Sequence, residues 1–314
     1  MNQAELRVSM APHIYAKDGT RDLMQDVIIA LLPALVFASF FFGLRVLVVT
    51  ATSVLTCVLA ELFWQRANKL PVTVQDCSAI VTGILLAYNL PATIPLWVVV
   101  VGAVFAMIIC KHFFGGLGHN FINPAMAARV FLQGCWPTLM TAFKEPSQKL
   151  VDTVTSATPL QLWQEGTPVE IFDLFIGNTT GCIGEVSSLA LLIGGIYLLV
   201  RRVIDWYTPV AFLGTVAVFA LIFGGPSAIL YHLFAGGLML GALFMATDYV
   251  TSPVTPVGKL LMGFGCGLIT ALFRFCSNAS EGVSYAILLM NLATPLIDKY
   301  ITKRRFGGEV KSRA

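Results

Sequence analysis

The sequence predicts an all-α polytopic membrane protein of about ten transmembrane helices, set out as two five-helix repeats of opposite orientation. Three observations lead there. Of 314 residues, 57% are apolar and only 12% charged, where a soluble domain carries about 25% charge, and mean hydropathy is +0.80. Apolar segments recur along the chain, most near the length that crosses about 30 Å of hydrocarbon. They fall five before and five after one long polar stretch, and an odd number of spans inverts the second of two similar halves. This composition excludes a soluble enzyme, a disordered chain and a disulfide scaffold. The net charge of +3, with no large basic cluster, gives no sign of a nucleic-acid partner.

In chain order, residues 1–23 form a polar arm of mixed charge, without the apolar core and cleavage site of a secretory signal. The first repeat, 24–140, holds spans at 24–43, 44–63, 79–90, 95–111 and 124–140. The third is too short to cross alone; it extends back through Gln75 and Asp76 or stops midway. Residues 141–185 form a long extramembrane loop with Pro146, Pro159, Pro168, Gly166 and Gly177. A loop of this length is either functional or a linker between halves. The second repeat, 186–298, holds spans at 186–200, 207–223, 229–246, 259–275 and 283–298, and residues 299–314 are a basic tail.

Lys and Arg set the orientation. With the N-terminus inside, fifteen of the twenty fall inside and four outside, with Arg129 within a span. Both termini are therefore expected in the cytoplasm and the 141–185 loop outside it.

The run from Gly83 to Pro95 parallels that from Gly241 to Pro256. Each ends an apolar segment in polar residues and a pair of prolines before a helix restarts. Matched interruptions point to a midplane site, because prolines free carbonyls that something else must satisfy. Two unrelated turns are the plain alternative. On the first reading, Asn89, Asp248 and Thr251 are ion-path candidates.

Other polar residues stand out against the apolar background. The Gly- and Asn-rich run from Phe113 to Met126 offers Gly116, Asn120 and Asn123 as lining for a ligand pocket. His119 within it is a proton carrier, a metal ligand or a hydrogen-bonded structural residue. His112, beside Lys111, reads as interfacial. Arg129 needs an interior partner, and Asp248 is its expected counterpart. Glu61, Asp76, Glu185 and Glu281 lie near span ends, as interfacial anchors or as contacts for a moving cation. The seven cysteines have no CxxC spacing; they are small buried hydrophobes or share a cluster with a neighbouring protein. No metal-binding, nucleotide-binding or hydrolase motif occurs.

The sharpest motif is Asp152-x-x-Thr155-Ser156-Ala157-Thr158. It resembles the flavinylation signal Asp-x-x-(Ser/Thr)-Gly-Ala-Thr, whose last hydroxyl receives FMN from FAD through a dedicated flavin transferase. Small neighbours let the transferase approach, and a phosphoester then holds the flavin. Ser156 stands where glycine is usual.

With Ser9-Met-Ala-Pro-His13, Met24 to Pro33, Gly115 to Pro124, Thr155 to Pro159 and Phe244 to Pro253, nearly the whole chain resembles one family. It comprises the RnfD proteins of the Rnf complex and the related NqrB proteins of the Na⁺-pumping NADH:quinone reductase; the short N-terminal arm is more similar to the Rnf branch. The resemblance implies a fold like that of urea transporters, FMN esterified to Thr158 (making the chain a flavoprotein and, through its phosphate, a phosphoprotein) and bound riboflavin as a further option. It also implies a multisubunit complex in a bacterial or archaeal cell membrane that couples ferredoxin:NAD⁺ electron transfer to Na⁺ or H⁺ translocation. The other Rnf subunits would be its partners, above all RnfG, the second that carries covalent FMN. A stand-alone solute transporter, a cofactor-free scaffold protein and the quinone-reducing relative are the competing readings.

Overall fold

A computed structural model describes residues 19–143, 157–276 and 282–301. Among these residues every named element is a helix, and the one β-type pairing is an isolated antiparallel bridge between Pro91 and Cys182. Two long helices come first, α1 (Thr20–Phe42) and α2 (Arg45–Ala67). The short α3 (Ser78–Tyr88) follows a 3-10 turn at Val74–Asp76. Next comes α4 (Leu96–Val104), which widens into a π-helix over Phe105–His112. Helix α5 (Pro124–Cys135) breaks at Trp136 into the single turn α6 (Pro137–Met140).

The expected extramembrane loop is not without structure. It contains α7 (Pro159–Gln164), α8 (Ile171–Ile176) and a 3-10 turn at Ile183–Glu185. Beyond it lie α9 (Ser188–Val200), α10 (Tyr207–Gly224), α11 (Pro226–Phe234), α12 (Leu238–Leu240, continuing as a π-helix over Gly241–Met245), α13 (Pro256–Cys276) and α14 (Val283–Tyr300).

Among the described residues, four helices, α1, α2, α10 and α13, are long and apolar enough to cross a membrane. A fifth span results if α11 and α12, bent by 69° at their junction, count together. Helices also stand at the other expected apolar segments: those at Ser78–Tyr88, Leu96–His112 and Ser188–Val200 are shorter, and α14, as long as α10, is not among the helices apolar enough to cross. The 11 residues of α3 rise only about 16 Å, so α3 does not cross a bilayer by itself.

Helix α1 packs on α9, α2 on α3 and α4, α10 on α11 and α13, and α5 and α13 on α14. In lipid, close approach needs small residues, because apolar surface alone gives little drive. Gly194 of α9 is such a point: a Cβ there would sit 2.0 Å from the Ala30 carbonyl oxygen of α1. Gly263 and Gly267, one turn apart on α13, let α10 approach to where a Cβ would meet the Thr208 oxygen or Thr215 Cβ at 2.5 Å. Tyr88, fully buried at the end of α3, donates to the Leu31 carbonyl at 2.7 Å and ties α3 to α1. The outer faces carry Phe40, Phe63, Val200 and Ile222 exposed, as helices in contact with lipid would.

Candidate functional site

The first chain break, between α3 and α4, contains Pro91 and Pro95. Proline has no N–H, so carbonyls nearby lack helical partners. Arg45, at the start of α2, supplies the donors: Nε to Ala92 O at 2.9 Å, and Nη2 to Thr93 O at 3.2 Å and Ile94 O at 3.1 Å. The second break, from Ala246 to Thr255, is closed differently. Thr294 donates to Thr251 O at 2.9 Å, and the Val254 N–H donates to Asp298 Oδ1 at 3.1 Å. The role of Arg45 is missed by a reading of the sequence, where it is one outside charge among four.

A cavity of about 80 Å³ lies between the halves. Its polar lining comes from Ser78 and Thr82 of α3, Lys111 of the π-helix, Asn120, Asn123, Thr247 and Asp248. Asn123 caps α5, accepting from the N–H groups of Ala125 (3.1 Å) and Met126 (3.3 Å), and donates to Met245 O at 3.5 Å. It thereby joins the Gly-rich run to the end of α12. Of the three expected pocket residues, Asn120 and Asn123 line this cavity. Gly116 does not: it is buried at φ +91°, where glycine is favoured, with His112 as its nearest neighbour.

Asp248 stands in the connection after α12, outside the helices, and accepts from the Thr251 hydroxyl at 3.1 Å. Two of the three ion-path candidates are thus adjacent. The third, Asn89, belongs to another cluster.

That cluster corrects the expected partner of Arg129. Its ion pair is with Glu185 and not with Asp248: Nη1 donates to Glu185 Oε1 at 3.3 Å and to Asn89 Oδ1 at 2.8 Å. All three residues are buried. The reason is positional. Asn89 ends α3 beside α5, and the 3-10 turn brings Glu185 over the same end, whereas Asp248 lines the 80 Å³ cavity, of which Arg129 is not a lining residue. Glu185 is therefore no interfacial anchor. Neither is Glu61, 1% exposed, which pairs with Lys111 (Nζ 3.4 Å) and His112 (Nε2 3.4 Å). Lys111 and His112 are likewise buried and not interfacial, while His119 is exposed. Two charges within separate apolar runs are the only sequence signal for this pairing.

Among the described residues, no group of three His, Cys, Asp or Glu is arranged to hold a metal. Cys57, Cys110, Cys182 and Cys266 are buried thiols, whereas Cys135 and Cys276 are exposed.

Of the threonine motif, Asp152, Thr155 and Ser156 lie outside the described residues; Ala157 and Thr158 lie within them. Thr158 is the N-cap of α7, with Pro159 at the first helical position. It is not displayed as expected but 4% exposed, because α7 is fastened to α11. Tyr231 donates to Pro159 O at 2.6 Å, its ring lies 4.6 Å from that of Trp163, and Thr180 donates to Ala157 O at 2.6 Å. The Thr158 N–H donates to Gln161 Oε1 at 3.0 Å, yet the Thr158 hydroxyl has no hydrogen-bond partner among the described residues. An unmet buried hydroxyl costs about 1–3 kcal/mol. Esterification removes the unmet donor, so the residue present fits a phosphoester. Next to α7, Leu160 borders a small cavity shared with Arg129, Glu185, Gly237 and Arg274. The threonine segment and the buried Arg129–Glu185 pair are therefore neighbours.

The sequence profile of the NQR2, RnfD, RnfE family matches residues 7–307. The chain is 51% identical, over 98% of its length and 97% of the relative's, to the D component of the Na⁺-translocating ferredoxin:NAD⁺ oxidoreductase complex of Acetobacterium woodii. It is 40% identical, over 96% of both chains, to the D component of the proton-translocating ferredoxin:NAD⁺ oxidoreductase complex of Clostridium ljungdahlii. Against the D component of the ion-translocating oxidoreductase complex of Aliivibrio salmonicida it is 33% identical, over 96% of this chain and 98% of the relative.

Proposed function

The chain belongs to the NQR2, RnfD, RnfE family, and we propose that it is a membrane electron-transfer subunit of an ion-translocating ferredoxin:NAD⁺ oxidoreductase complex, carrying FMN esterified to Thr158. Near-complete coverage of relatives with that name supports the complex. The observation that carries the cofactor is the buried Thr158 hydroxyl, without a hydrogen-bond partner among the described residues, at the end of a flavinylation-like motif.

FMN bound there supplies acceptance of one or two electrons, with reduction open to coupling with protonation. The chain itself contributes position. Pro159 and Gln161 fix the backbone at Thr158, Tyr231 and Thr180 hold the segment against the helices, and the Arg129–Glu185 pair borders the same region. The Asn120–Asn123–Asp248 cavity is the proposed place for a moving ion, Na⁺ or H⁺, and the amide-rich wall is also where riboflavin would find donors and acceptors.

The proposed architecture is ten crossings in two inverted repeats, termini in the cytoplasm and the Thr158 segment outside. It is supported by the like order of neighbours in the halves. Helix α2 packs on α3 and α4 as α10 packs on α11 and α13; the first helices of the halves, α1 and α9, pack on each other, and so do the last, α5 and α14. Partners would be the other Rnf subunits, RnfG among them, and a flavin transferase during maturation. Ion movement then requires the redox state to change the relative free energy of two arrangements.

The test is the mass of the peptide containing Thr158 from the natively assembled complex. An added FMN is the expected result; an unmodified peptide from cells that express the transferase would overturn the cofactor assignment.

A further inference from the structure

Glu61 and Lys111 form a buried pair whose geometry is poor for a structural ion pair. A stabilising buried pair satisfies both carboxylate oxygens and most donors at short range. Here Lys111, His112 and Gln65 all approach Glu61 Oε1 at 3.4 Å, while Oε2 is buried without a hydrogen-bond partner among the described residues. The shortest bond of Lys111 runs instead to the Ser78 hydroxyl, at 2.6 Å. Ser78 in turn donates to Asp76 Oδ1 at 2.7 Å. Asp76 is only partly buried, in a turn flanked by exposed Thr73 and Gln75. A continuous hydrogen-bonded line thus leads from the protein surface to a buried carboxylate, and both Ser78 and Lys111 also line the 80 Å³ cavity to which Asp248 belongs.

We propose that Asp76, Ser78 and Lys111 form a proton relay that connects the aqueous face to Glu61 beside this cavity. The inference deepens the ion-moving reading above and rests on it only for the use made of the proton. In one inward transfer, Lys111 hands a proton to Glu61 Oε1, the Ser78 hydroxyl turns and passes its proton to the neutral Lys111 nitrogen, and a protonated Asp76 carboxyl passes its proton to Ser78 Oγ, so that the Lys111–Ser78 and Ser78–Asp76 bonds reverse their resting directions. The carboxyl of Asp76 loses one proton and that of Glu61 gains one; Ser78 and Lys111 end as they began.

The wide turn of the π-helix turns both Lys111 and His112 toward α2, and such turns favour functional sites. The charged and titratable groups facing Glu61 are Lys111 and His112 from the π-helix and Cys57 from its own helix. Asp76 stands behind Ser78, and Asp248 lines the same cavity as Lys111.

The test is time-resolved infrared spectroscopy of the purified, oxidised complex in lipid nanodiscs after an acid pH jump, with no electron donor present. Accessible carboxyls protonate in both proteins, so the readout is the native-minus-Glu61→Gln difference, in which one carboxylic carbonyl component should rise. Ser78→Ala should slow that rise about tenfold or more, and Ser78→Thr, which keeps the hydroxyl, should restore it. No carbonyl component in that difference, or an unchanged rate of its rise in Ser78→Ala, overturns the relay. Turnover is not involved. A complex that shows the Glu61 band without moving ions would therefore refute the ion-moving reading and leave the relay standing, and an ion-moving complex without the band would do the reverse.

Discussion

Arg129 Nη1 donates to Asn89 Oδ1 at 2.8 Å, so the buried cation of α5 is fastened to the polar end of α3. The same nitrogen reaches Glu185 Oε1 at 3.3 Å, which ties the first chain break to the segment that leads into α9. A single guanidinium therefore holds three parts of the chain that are far apart in sequence.

Removing one member of this pair leaves a buried charge without its counter-ion. Glu185→Gln is expected to destabilise the chain by about 3–5 kcal/mol. The double variant Arg129→Gln/Glu185→Gln should lose less than the sum of the single losses, because the stranded charge is gone. Thermal unfolding in detergent of the four proteins checks both statements.

Arg45 satisfies three carbonyls at the first break. Arg45→Ala leaves Ala92, Thr93 and Ile94 without these donors, and each unmet group costs about 1–3 kcal/mol where water cannot replace the donor. Arg45→Lys should recover only part of the loss, since an ammonium cannot span three oxygens in a planar fork. Limited proteolysis at residues 89–95 is the readout, with faster cleavage expected in Arg45→Ala.

Gly194→Ala places a methyl group 2.0 Å from the Ala30 carbonyl oxygen, a backbone atom that cannot move aside cheaply. The variant should accumulate poorly and unfold at lower temperature. Gly214→Ala, in α10, meets nothing within 4 Å and should be neutral or gain up to about 1 kcal/mol from helix propensity. Equal behaviour of the two would count against the α1–α9 contact.

Thr158→Ala should abolish the covalent flavin band in a denaturing gel, whereas Thr158→Ser retains a hydroxyl at the same place and should keep part of it. Fluorescence of the band under ultraviolet light decides between these outcomes.

Asp248→Asn should reduce coupled ion uptake by the assembled complex while electron transfer from ferredoxin continues. Uptake into vesicles by the native and Asp248→Asn complexes, measured beside ferredoxin oxidation, is the readout.

Much of the helical arrangement was legible because hydropathy is a local property. Twenty apolar residues in a row need no partner to declare themselves, and the two proline-rich breaks mark themselves through lost N–H donors at Pro91, Pro95, Pro253 and Pro256. The chain by itself therefore determined where the longer apolar helices form, though not α7 and α8 in the expected loop, where the two proline-rich breaks fall, and which threonine ends a flavinylation-like motif. Only the tertiary structure decided which buried charge meets which. Arg129 and Glu185 are 56 residues apart, Lys111 and Glu61 50, and composition alone made Asp248 an equally good partner for Arg129. The burial of Thr158 was decided in the same way, by Tyr231 at a distance of 72 residues from the carbonyl it holds. Pair interactions inside a membrane depend on side chains within a few ångströms of one another, and that proximity is a product of helix packing which no run of neighbouring residues encodes.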